Sequence, residues 1–219
     1  MCEVEIENAI SNLLTERPIS DVLRKYLGYI KHIKKYEPSV IYDIGAGIGA
    51  FTKCTHLMFP ESKIVLFDAD EDNEKRYTGE DYNIVCLSNE KKEYKFYNNN
   101  DIPELNSYYK FTYSNNNDYK LLQTSTLTDV VNNKQIRYPD MIKINCCGAE
   151  LDIIKGGINI IQKAKYLIVS MQNKEIFEKA PLISDVGPYI VNELGFVLEQ
   201  ILDPYGTGLY DYIFINKNI

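Results

Sequence analysis

The chain has 219 residues, of which 45% are hydrophobic and 25% are charged, and its 24 basic and 31 acidic residues give a formal net charge of −7. These fractions are close to globular averages, so they exclude a disordered tail and a fibre. The acidic balance disfavours broad electrostatic binding to nucleic acid or to an anionic membrane. The length and the lack of a linker-like stretch predict a single domain over residues 1–219.

The sequence carries no signal for a membrane or an exported protein. No stretch approaches the roughly 18 consecutive apolar residues that span a bilayer. The first ten residues, MCEVEIENAI, lack the basic and then apolar order of a signal peptide. The five cysteines are odd in number and form no Cys-x-x-Cys pair, which argues against a disulfide framework and a zinc site. We therefore expect reduced cysteines, no cysteine-bound zinc and a cytoplasmic location, and we assign no metal-ligating residues.

The hydrophobic pattern alternates between strands and helices. Apolar residues at helical spacing predict two helices before residue 38, broken at Arg17-Pro18. The elements predicted after them are strand 40–45, helix 50–58, strand 63–70 and a short charged helix, strands 83–88, 93–97 and 140–145, helix 149–163, strand 166–172, helix 184–194, and strands 195–203 and 209–217 joined by the turn residues PYGTG. Residues 98–120, rich in Asn and Tyr, predict an irregular or hairpin insertion and the most mobile element. Together these elements predict an α/β fold whose mainly parallel sheet is covered on both faces.

The sequence DIGAGIGAF (43–51) is the sharpest local signal. Gly45, Gly47 and Gly49 let the backbone turn abruptly after the first strand and leave room for a ligand. The spacing also satisfies the dinucleotide pattern Gly-x-Gly-x-x-Ala, in which a helix N-terminus binds a pyrophosphate. An ordinary strand-to-helix turn without a ligand is the alternative.

Two acids accompany the glycines. Asp43 lies at the end of the first strand, where it would repel a pyrophosphate but attract a sulfonium or an amino group. Asp68 closes the second strand, where it is placed to accept hydrogen bonds from both hydroxyls of a ribose. The residues therefore predict a nucleoside cofactor, either NAD or S-adenosylmethionine, and Asp43 favours the second.

These segments, in this order, resemble the FkbM family of S-adenosylmethionine-dependent methyltransferases from about Val40 to Lys217. IYDIGAGIGAF is similar to the first motif of the family, LFDAD to its Phe-Glu-Pro motif, and TSTLTDVV (124–131) to its Thr-Leu-Asp segment. VCLSNEKKEYKFY and the closing GLYDYIFINK also resemble family segments. The most specific match is DMIKINCCGAELDIIKG (140–156), which is similar to I-K-I-D-V-E-G-A-E-L-x-V-L-K-G.

The resemblance implies a Rossmann-like class I methyltransferase fold, with a seven-stranded, mainly parallel sheet whose last strand is antiparallel. It also implies S-adenosylmethionine as the cofactor and O-methylation of a small hydroxylated acceptor, typically a sugar, a glycan or a natural product. The predicted cofactor residues are Asp43, Gly45, Gly47, Gly49, Phe51, Asp68, Ala69, Leu87 and Ser88. Asp43 is expected at the amino or sulfonium end, with pairing to a nearby backbone N–H as the alternative, and Asp68 is expected at the ribose. Leu87 and Ser88 are expected either beside the adenine or in a plain buried strand end.

The predicted catalytic residues are Lys143, Asn145 and Glu150. An unpaired ammonium inside an apolar strand is costly, so Lys143 either pairs with an acid at the centre of the sheet or orients the acceptor. Asn145 can hydrogen-bond the acceptor but is no base at neutral pH. Glu150 is the best carboxylate left in the motif, and capping of its own helix is the alternative role.

The chain departs from the family pattern at three acids. Asn145 and Cys147 occupy the places of Asp and Glu in D-V-E-G, and Ser170 stands where the fifth strand commonly ends in glutamate. A degenerate S-adenosylmethionine-binding scaffold is therefore one alternative function, and a methyltransferase for protein or nucleic acid is another. Tyrosines in the 98–120 insertion are expected either to pack against a sugar ring or to lie in solvent.

Overall fold

The computed structural model describes residues 32–99, 102–115, 117–202 and 208–219, together with Val4 and Asn8. The two helices predicted before residue 38 lie mostly outside the described residues, and so does most of the PYGTG turn. Residues 32–33 are helical and lead through a turn into the first strand.

The described residues form ten strands and five α-helices, numbered here in chain order. The strands are β1 (Val40–Ile44), β2 (Lys63–Asp68), β3 (Asp81–Ile84), β4 (Cys86–Leu87), β5 (Glu93–Tyr97), β6 (Tyr119–Ser125), β7 (Met141–Ile144), β8 (Tyr166–Gln172), β9 (Phe196–Leu202) and β10 (Leu209–Asn216). The helices are α1 (Ala50–Met58), α2 (Leu127–Asn133), α3 (Glu150–Gly156), α4 (Ile158–Ile161) and α5 (Ile183–Pro188). Short 3-10 helices span Glu71–Arg76 and Pro103–Leu105, and a π-helix, Tyr189–Glu193, follows α5.

Seven strands form the main sheet in the order β3-β2-β1-β7-β8-β10-β9. Neighbours from β3 to β8 pair in parallel, whereas β10 runs antiparallel to both β8 and β9. The predicted architecture is thereby confirmed. The carboxyl ends of β1, β2 and β7 meet at one edge, where parallel sheets place their ligand sites.

Both faces of the main sheet are buried, as its nearly continuous apolar strands predict. Because side chains alternate along a strand, Tyr42 and Ile144 pack into one core layer with α2, α3 and α4. Ile41 and Met141 pack into the opposite layer with α1.

The single strand predicted at 83–88 is two strands in different sheets. β3 pairs with β2 in the main sheet, whereas β4 pairs with β6 in a three-stranded sheet of order β4-β6-β5. A continuous apolar run does not show where the strand changes its pairing partner. No strand was predicted where β6 lies and no helix where α2 lies. The strand predicted at 93–97 is confirmed as β5.

The helix predicted at 149–163 is interrupted at Gly157, which separates α3 from α4. The backbone leaves the helical region at Gly157, with φ −116° and ψ 13°, and glycine is a poor helix former. A Cβ added there would also lie 2.8 Å from Leu127 of α2. The helix predicted at 184–194 is α5 followed by the π-helix, and Pro188 at their junction has no N–H to donate.

The insertion predicted at 98–120 is irregular over residues 102–115, apart from the short 3-10 helix, and its last residues begin β6. It packs against the rest of the chain through backbone hydrogen bonds from Ser107 to Tyr97 and from Thr112 to Ile176. Its mobility stays a prediction. No helix among the described residues is both long and apolar enough to cross a membrane.

Candidate active site

A cavity of about 770 Å³ opens at the carboxyl ends of β1, β2 and β7. This volume falls within the range of roughly 300–1,000 Å³ that is typical of ligand sites. The predicted site residues that line it are Gly45, Gly47, Phe51, Asp68, Ala69, Leu87, Lys143, Asn145 and Glu150. Asp43, Gly49 and Ser88 do not line it.

The glycine loop, residues 45–49, forms one side of the cavity. Its three glycines all have a positive φ, a backbone conformation that is strained in residues with a side chain. At Gly45 an added Cβ would lie 2.1 Å from the carbonyl oxygen of Asn145, so only glycine lets the loop pass this close to the strand end. Gly49 lies at the N-terminus of α1 and faces Tyr77 rather than the cavity.

Tyr77 contacts the glycine loop at Gly47 and Gly49. Its hydroxyl donates a hydrogen bond to the carbonyl oxygen of Gly47 at 2.6 Å, and its ring is buried. Gly47 faces open space, since a Cβ there would meet no atom within 4 Å. The loop is thus fixed on one side and open on the other. Sequence reasoning missed Tyr77, which lies in no recognisable motif.

Asp68 lies at the end of β2 and is almost fully buried. Its Oδ2 accepts a hydrogen bond from the backbone of Gly47 at 2.6 Å, and its Oδ1 accepts from the backbone of Asp70 at 2.8 Å and from Asn73 at 3.4 Å. Burial raises the pKa of this carboxyl group, and the hydrogen bonds oppose that rise. A carboxylate has about four acceptor positions, so roughly one remains for a ligand without displacing the long Asn73 bond.

Asp43 does not reach the cavity. It is fully buried, its Oδ2 accepts a hydrogen bond from the Thr52 hydroxyl at 2.7 Å, and its Oδ1 lies 3.2 Å from Nζ of Lys143. A direct contact with a cofactor amino or sulfonium group does not fit this geometry. The alternative in which Lys143 pairs with an acid at the centre of the sheet does fit it, although Lys143 also lines the cavity above Phe51.

Glu150 is a buried carboxylate at the start of α3 that lines the cavity. Its two oxygens accept hydrogen bonds from the backbone of Cys146 at 2.8 Å and of Gly148 at 3.0 Å, which caps the turn before the helix. Burial raises its pKa from 4.5 to about 7 despite these bonds, and the nearby Asp152 carboxylate contributes to the rise. Each oxygen keeps an acceptor position, so Glu150 combines a capping role with the capacity to take a proton.

Leu87 and Ala69 line the cavity, but the neighbouring Ser88 is fully buried. The carbonyl oxygen of Ser88 lies where a Cβ at Gly156 would come within 2.1 Å, so this residue packs against α3. The structure therefore separates the predicted pair, because Leu87 lines the cavity and Ser88 does not.

The wall segment, residues 102–113, lines the same cavity as the glycine loop. Asn106 donates a hydrogen bond to Asp70 at 3.0 Å, and the Ser107 hydroxyl donates to the carbonyl oxygen of Cys147 at 2.9 Å. Among its aromatic residues, Tyr108 and Phe111 line the cavity and the exposed Tyr113 lies at its rim. The structure divides the aromatic residues of the insertion, because Tyr108 and Phe111 lie at the cavity whereas Tyr113 and Tyr119 are 67% and 46% exposed.

The vicinal cysteines lie in the turn between β7 and α3. Burial raises the pKa of the Cys146 thiol well above its usual value, which makes it a poor nucleophile. Cys147 has a positive φ, and its thiol donates to the carbonyl oxygen of Glu104 in the wall segment at 3.2 Å. Both cysteines line the cavity, where they pack against the loop and the wall. Within the described ranges, no group of three His, Cys, Asp or Glu side chains could hold a metal ion.

Solved structures similar to this chain share its fold. An S-adenosylmethionine-dependent methyltransferase from Aquifex aeolicus superimposes with a TM-score of 0.50 at 13% identity, over 99% of each chain. The fibrillarin pre-rRNA processing protein of Methanococcus jannaschii gives a TM-score of 0.51 at 10% identity, over 82% of this chain and 66% of that one. The fibrillarin/Nop5p complex gives 0.51 at 9% identity, over 81% and 72%. The fold is that of class I methyltransferases.

The sequence itself matches one family. No curated protein matches it. The Methyltransferase FkbM domain matches residues 43–198, a range that includes the glycine loop, Asp68, the wall segment and the turn before α3. The chain therefore belongs to the FkbM family of S-adenosylmethionine-dependent methyltransferases.

Proposed function

We propose that this chain transfers the methyl group of S-adenosylmethionine to a hydroxyl group of a small acceptor, a sugar or a glycan. The observation that carries the proposal is the shared cavity, which the glycine loop and Asp68 line together with Glu150 and the wall segment. Methyl transfer is an in-line displacement, so donor and acceptor must meet in one enclosed space at near-attack distance.

The glycine-loop side of the cavity fits the nucleoside part of the cofactor. Gly47 offers open space beside its backbone, and Asp68 has an acceptor position for a ribose hydroxyl. The apolar side chains of Ala69 and Leu87 line the same cavity and suit an adenine ring. When bound there, S-adenosylmethionine would supply a methyl group on its sulfonium, and the neutral thioether that remains is an excellent leaving group.

Glu150 supplies the base that the missing family acids leave unfilled. A hydroxyl that accepts a methyl group must lose its proton, and a positioned base typically contributes about 10²–10⁴-fold to the rate. With a pKa of about 7, Glu150 is ionised in a large fraction of molecules at neutral pH and is more basic than an exposed carboxylate. Asn145 lines the same cavity and can hydrogen-bond the acceptor.

The wall segment supports a sugar as the acceptor. Tyr108, Phe111 and Tyr113 present aromatic faces that can pack against a sugar ring, and Ser107 lines the cavity beside them. The net charge of −7 disfavours a nucleic-acid acceptor.

The test is to incubate the protein with S-adenosylmethionine and a panel of sugars, glycans, peptides and RNA, and to identify methylated products by mass spectrometry. A methyl ether on a sugar hydroxyl supports the proposal. Glu150→Gln should lower kcat at least ~100-fold and leave the Kd of S-adenosylmethionine unchanged, whereas the exposed control Glu71→Gln should change neither. Methylation of peptide or RNA alone would contradict the proposed acceptor.

A non-catalytic module that binds S-adenosylmethionine is the second candidate function. It is favoured by the capping bonds of Glu150 and by Asn145 and Cys147 at the places of family acids. Binding of S-adenosylmethionine without methylation of any acceptor in the panel would favour this candidate over the first.

A further inference from the structure

Asp152 joins helix α3 to the wall segment by side-chain hydrogen bonds. It lies in α3 two residues after Glu150, at the position marked x in the pattern E-L-x-V-L. Its Oδ2 accepts a hydrogen bond from the Tyr109 hydroxyl at 2.8 Å and another from the Tyr108 hydroxyl at 3.3 Å. Both tyrosines belong to the wall segment, 43 and 44 residues earlier in the chain.

The two hydroxyls are committed donors. Burial raises the pKa of Tyr108 and of Tyr109 far above neutrality, and the Asp152 carboxylate raises both further. They therefore stay protonated at any working pH and can donate to the carboxylate. Such charge-assisted hydrogen bonds are about twice as strong as neutral ones. Tyr108 is only 9% exposed, so bulk water cannot readily replace its bond.

The two tyrosines also contact the cavity and the turn before α3. The Tyr108 ring lines the cavity and lies 5.1 Å from the Tyr109 ring and 5.0 Å from that of Tyr94. Tyr109 packs against the turn that Glu150 caps, because a Cβ added at Gly148 would lie 3.4 Å from its ring. Asp152 thus links the wall segment to the helix that begins with Glu150.

We propose that Asp152 is a positioning residue for acceptor binding, which fastens the wall segment to α3 through the hydroxyl groups of Tyr108 and Tyr109 and so sets its distance from Glu150. The inference rests on the proposed function, because it treats the wall segment as the surface that binds the acceptor. Asp152 itself takes no part in the transfer.

The variants are Asp152→Ala, Asp152→Asn, Tyr109→Phe and the pair Asp152→Ala/Tyr109→Phe. Tyr82→Phe is the matched control. The Tyr82 hydroxyl also donates to a carboxylate, that of the exposed Glu74, at a distance of 2.8 Å. Neither residue lines the cavity. Hydrogen–deuterium exchange of the wall segment is measured without an acceptor, at the amides of Ser107, Tyr109 and Thr112. Calorimetry gives the Kd of S-adenosylmethionine, and steady-state kinetics give KM and kcat for the acceptor found above.

We expect faster exchange at the wall amides in Asp152→Ala and in Tyr109→Phe, and no change in Tyr82→Phe. The acceptor KM should rise about tenfold in Asp152→Ala, with the Kd of S-adenosylmethionine changed less than about twofold. In Tyr109→Phe, which keeps the Asp152 carboxylate that contributes to the raised pKa of Glu150, kcat should also change less than about twofold. Asp152→Asn keeps an acceptor oxygen and should recover part of the loss. The acceptor KM of the double variant should equal that of Asp152→Ala, because Asp152→Ala already removes the bond that Tyr109→Phe removes.

Unchanged exchange and an unchanged acceptor KM in Asp152→Ala would overturn the inference while leaving methyl transfer by the wild type intact. Equal losses of S-adenosylmethionine affinity and acceptor affinity would also overturn it, because they indicate a general loss of structure. If the wild type methylates no acceptor, the proposed function fails, and the exchange data still decide whether Asp152 holds the wall segment.

Discussion

The two sides of the cavity are held by different kinds of contact. On the glycine-loop side, positive φ angles, the close passage of Gly45 over Asn145 and backbone bonds to Asp68 set the shape. On the wall side, the shape depends on side chains from distant parts of the chain, such as Asn106 on Asp70 and Tyr109 on Asp152. We infer that changes on the glycine-loop side act mainly on folding and cofactor binding, and that changes on the wall side act mainly on the acceptor.

The largest effect is expected from the buried pair beneath the glycine loop. Lys143→Met should lower the free energy of unfolding by about 3–5 kcal/mol, because it leaves the fully buried Asp43 without its cation. Lys63→Met is the control, since the ion pair of Lys63 with Asp81 is exposed and worth at most about 1 kcal/mol. Chemical denaturation measures both. Equal losses would refute a buried pair that supports the loop.

Adding Asp43→Asn to Lys143→Met should recover part of that loss, because the remaining buried group is then neutral. The hydroxyl of Thr52 can still donate to the amide oxygen. A double variant less stable than Lys143→Met alone would show that the pair is not the source of the effect.

A second pair of substitutions separates shape from binding within the glycine loop. Gly45→Ala should cost about 3–4 kcal/mol of stability, because its Cβ would meet the Asn145 carbonyl oxygen at 2.1 Å and its φ is +74°. Gly47→Ala, with no atom within 4 Å, should cost only about 1–2 kcal/mol for the left-handed backbone. Its methyl group faces the cavity and should instead weaken S-adenosylmethionine binding. Thermal unfolding and calorimetry give the two quantities, and similar Tm losses would contradict the proposed difference.

Glu150 should make stability depend on pH in a defined window. Because its folded pKa is raised from 4.5 to about 7, its contribution to stability is fully present below about pH 4.5 and is lost as the pH rises to about 7. The loss amounts to roughly 3 kcal/mol by the relation of about 1.36 kcal/mol per pKa unit. The unfolding free energy of wild type minus that of Glu150→Gln should therefore fall across this window. A difference that is flat between pH 4.5 and 7 would contradict a raised pKa at this site.

The glycine-loop side could be predicted from sequence because its determinants lie close together. Strand, glycines and helix fall within residues 40–58, and each carries a local signal that matched the observed β1 and α1. Asp68 needed only the next strand. Asp43 shows the limit of such reasoning, since its type and position suited a ligand but its partner, Lys143, lies 100 residues away.

The wall side could be predicted only in outline. The tyrosines of the insertion were candidates for an acceptor surface, but no local pattern joins Tyr109 to Asp152 or Ser107 to Cys147. These contacts form when β7 and α3 bring distant residues together. The split of 83–88 into β3 and β4 has the same cause, because strand pairing is decided by partners elsewhere in the chain.

The most direct test of this account is calorimetric titration of the wild type with S-adenosylmethionine and with NAD, repeated on Asp68→Ala and on the exposed control Glu71→Ala. We expect the wild type to bind one S-adenosylmethionine and to prefer it to NAD. Asp68→Ala should weaken that binding by about 1–3 kcal/mol, roughly 5- to 150-fold, and Glu71→Ala should leave it unchanged. Tighter binding of NAD, or equal affinity for S-adenosylmethionine in Asp68→Ala and the wild type, would contradict a cofactor site on the glycine-loop side.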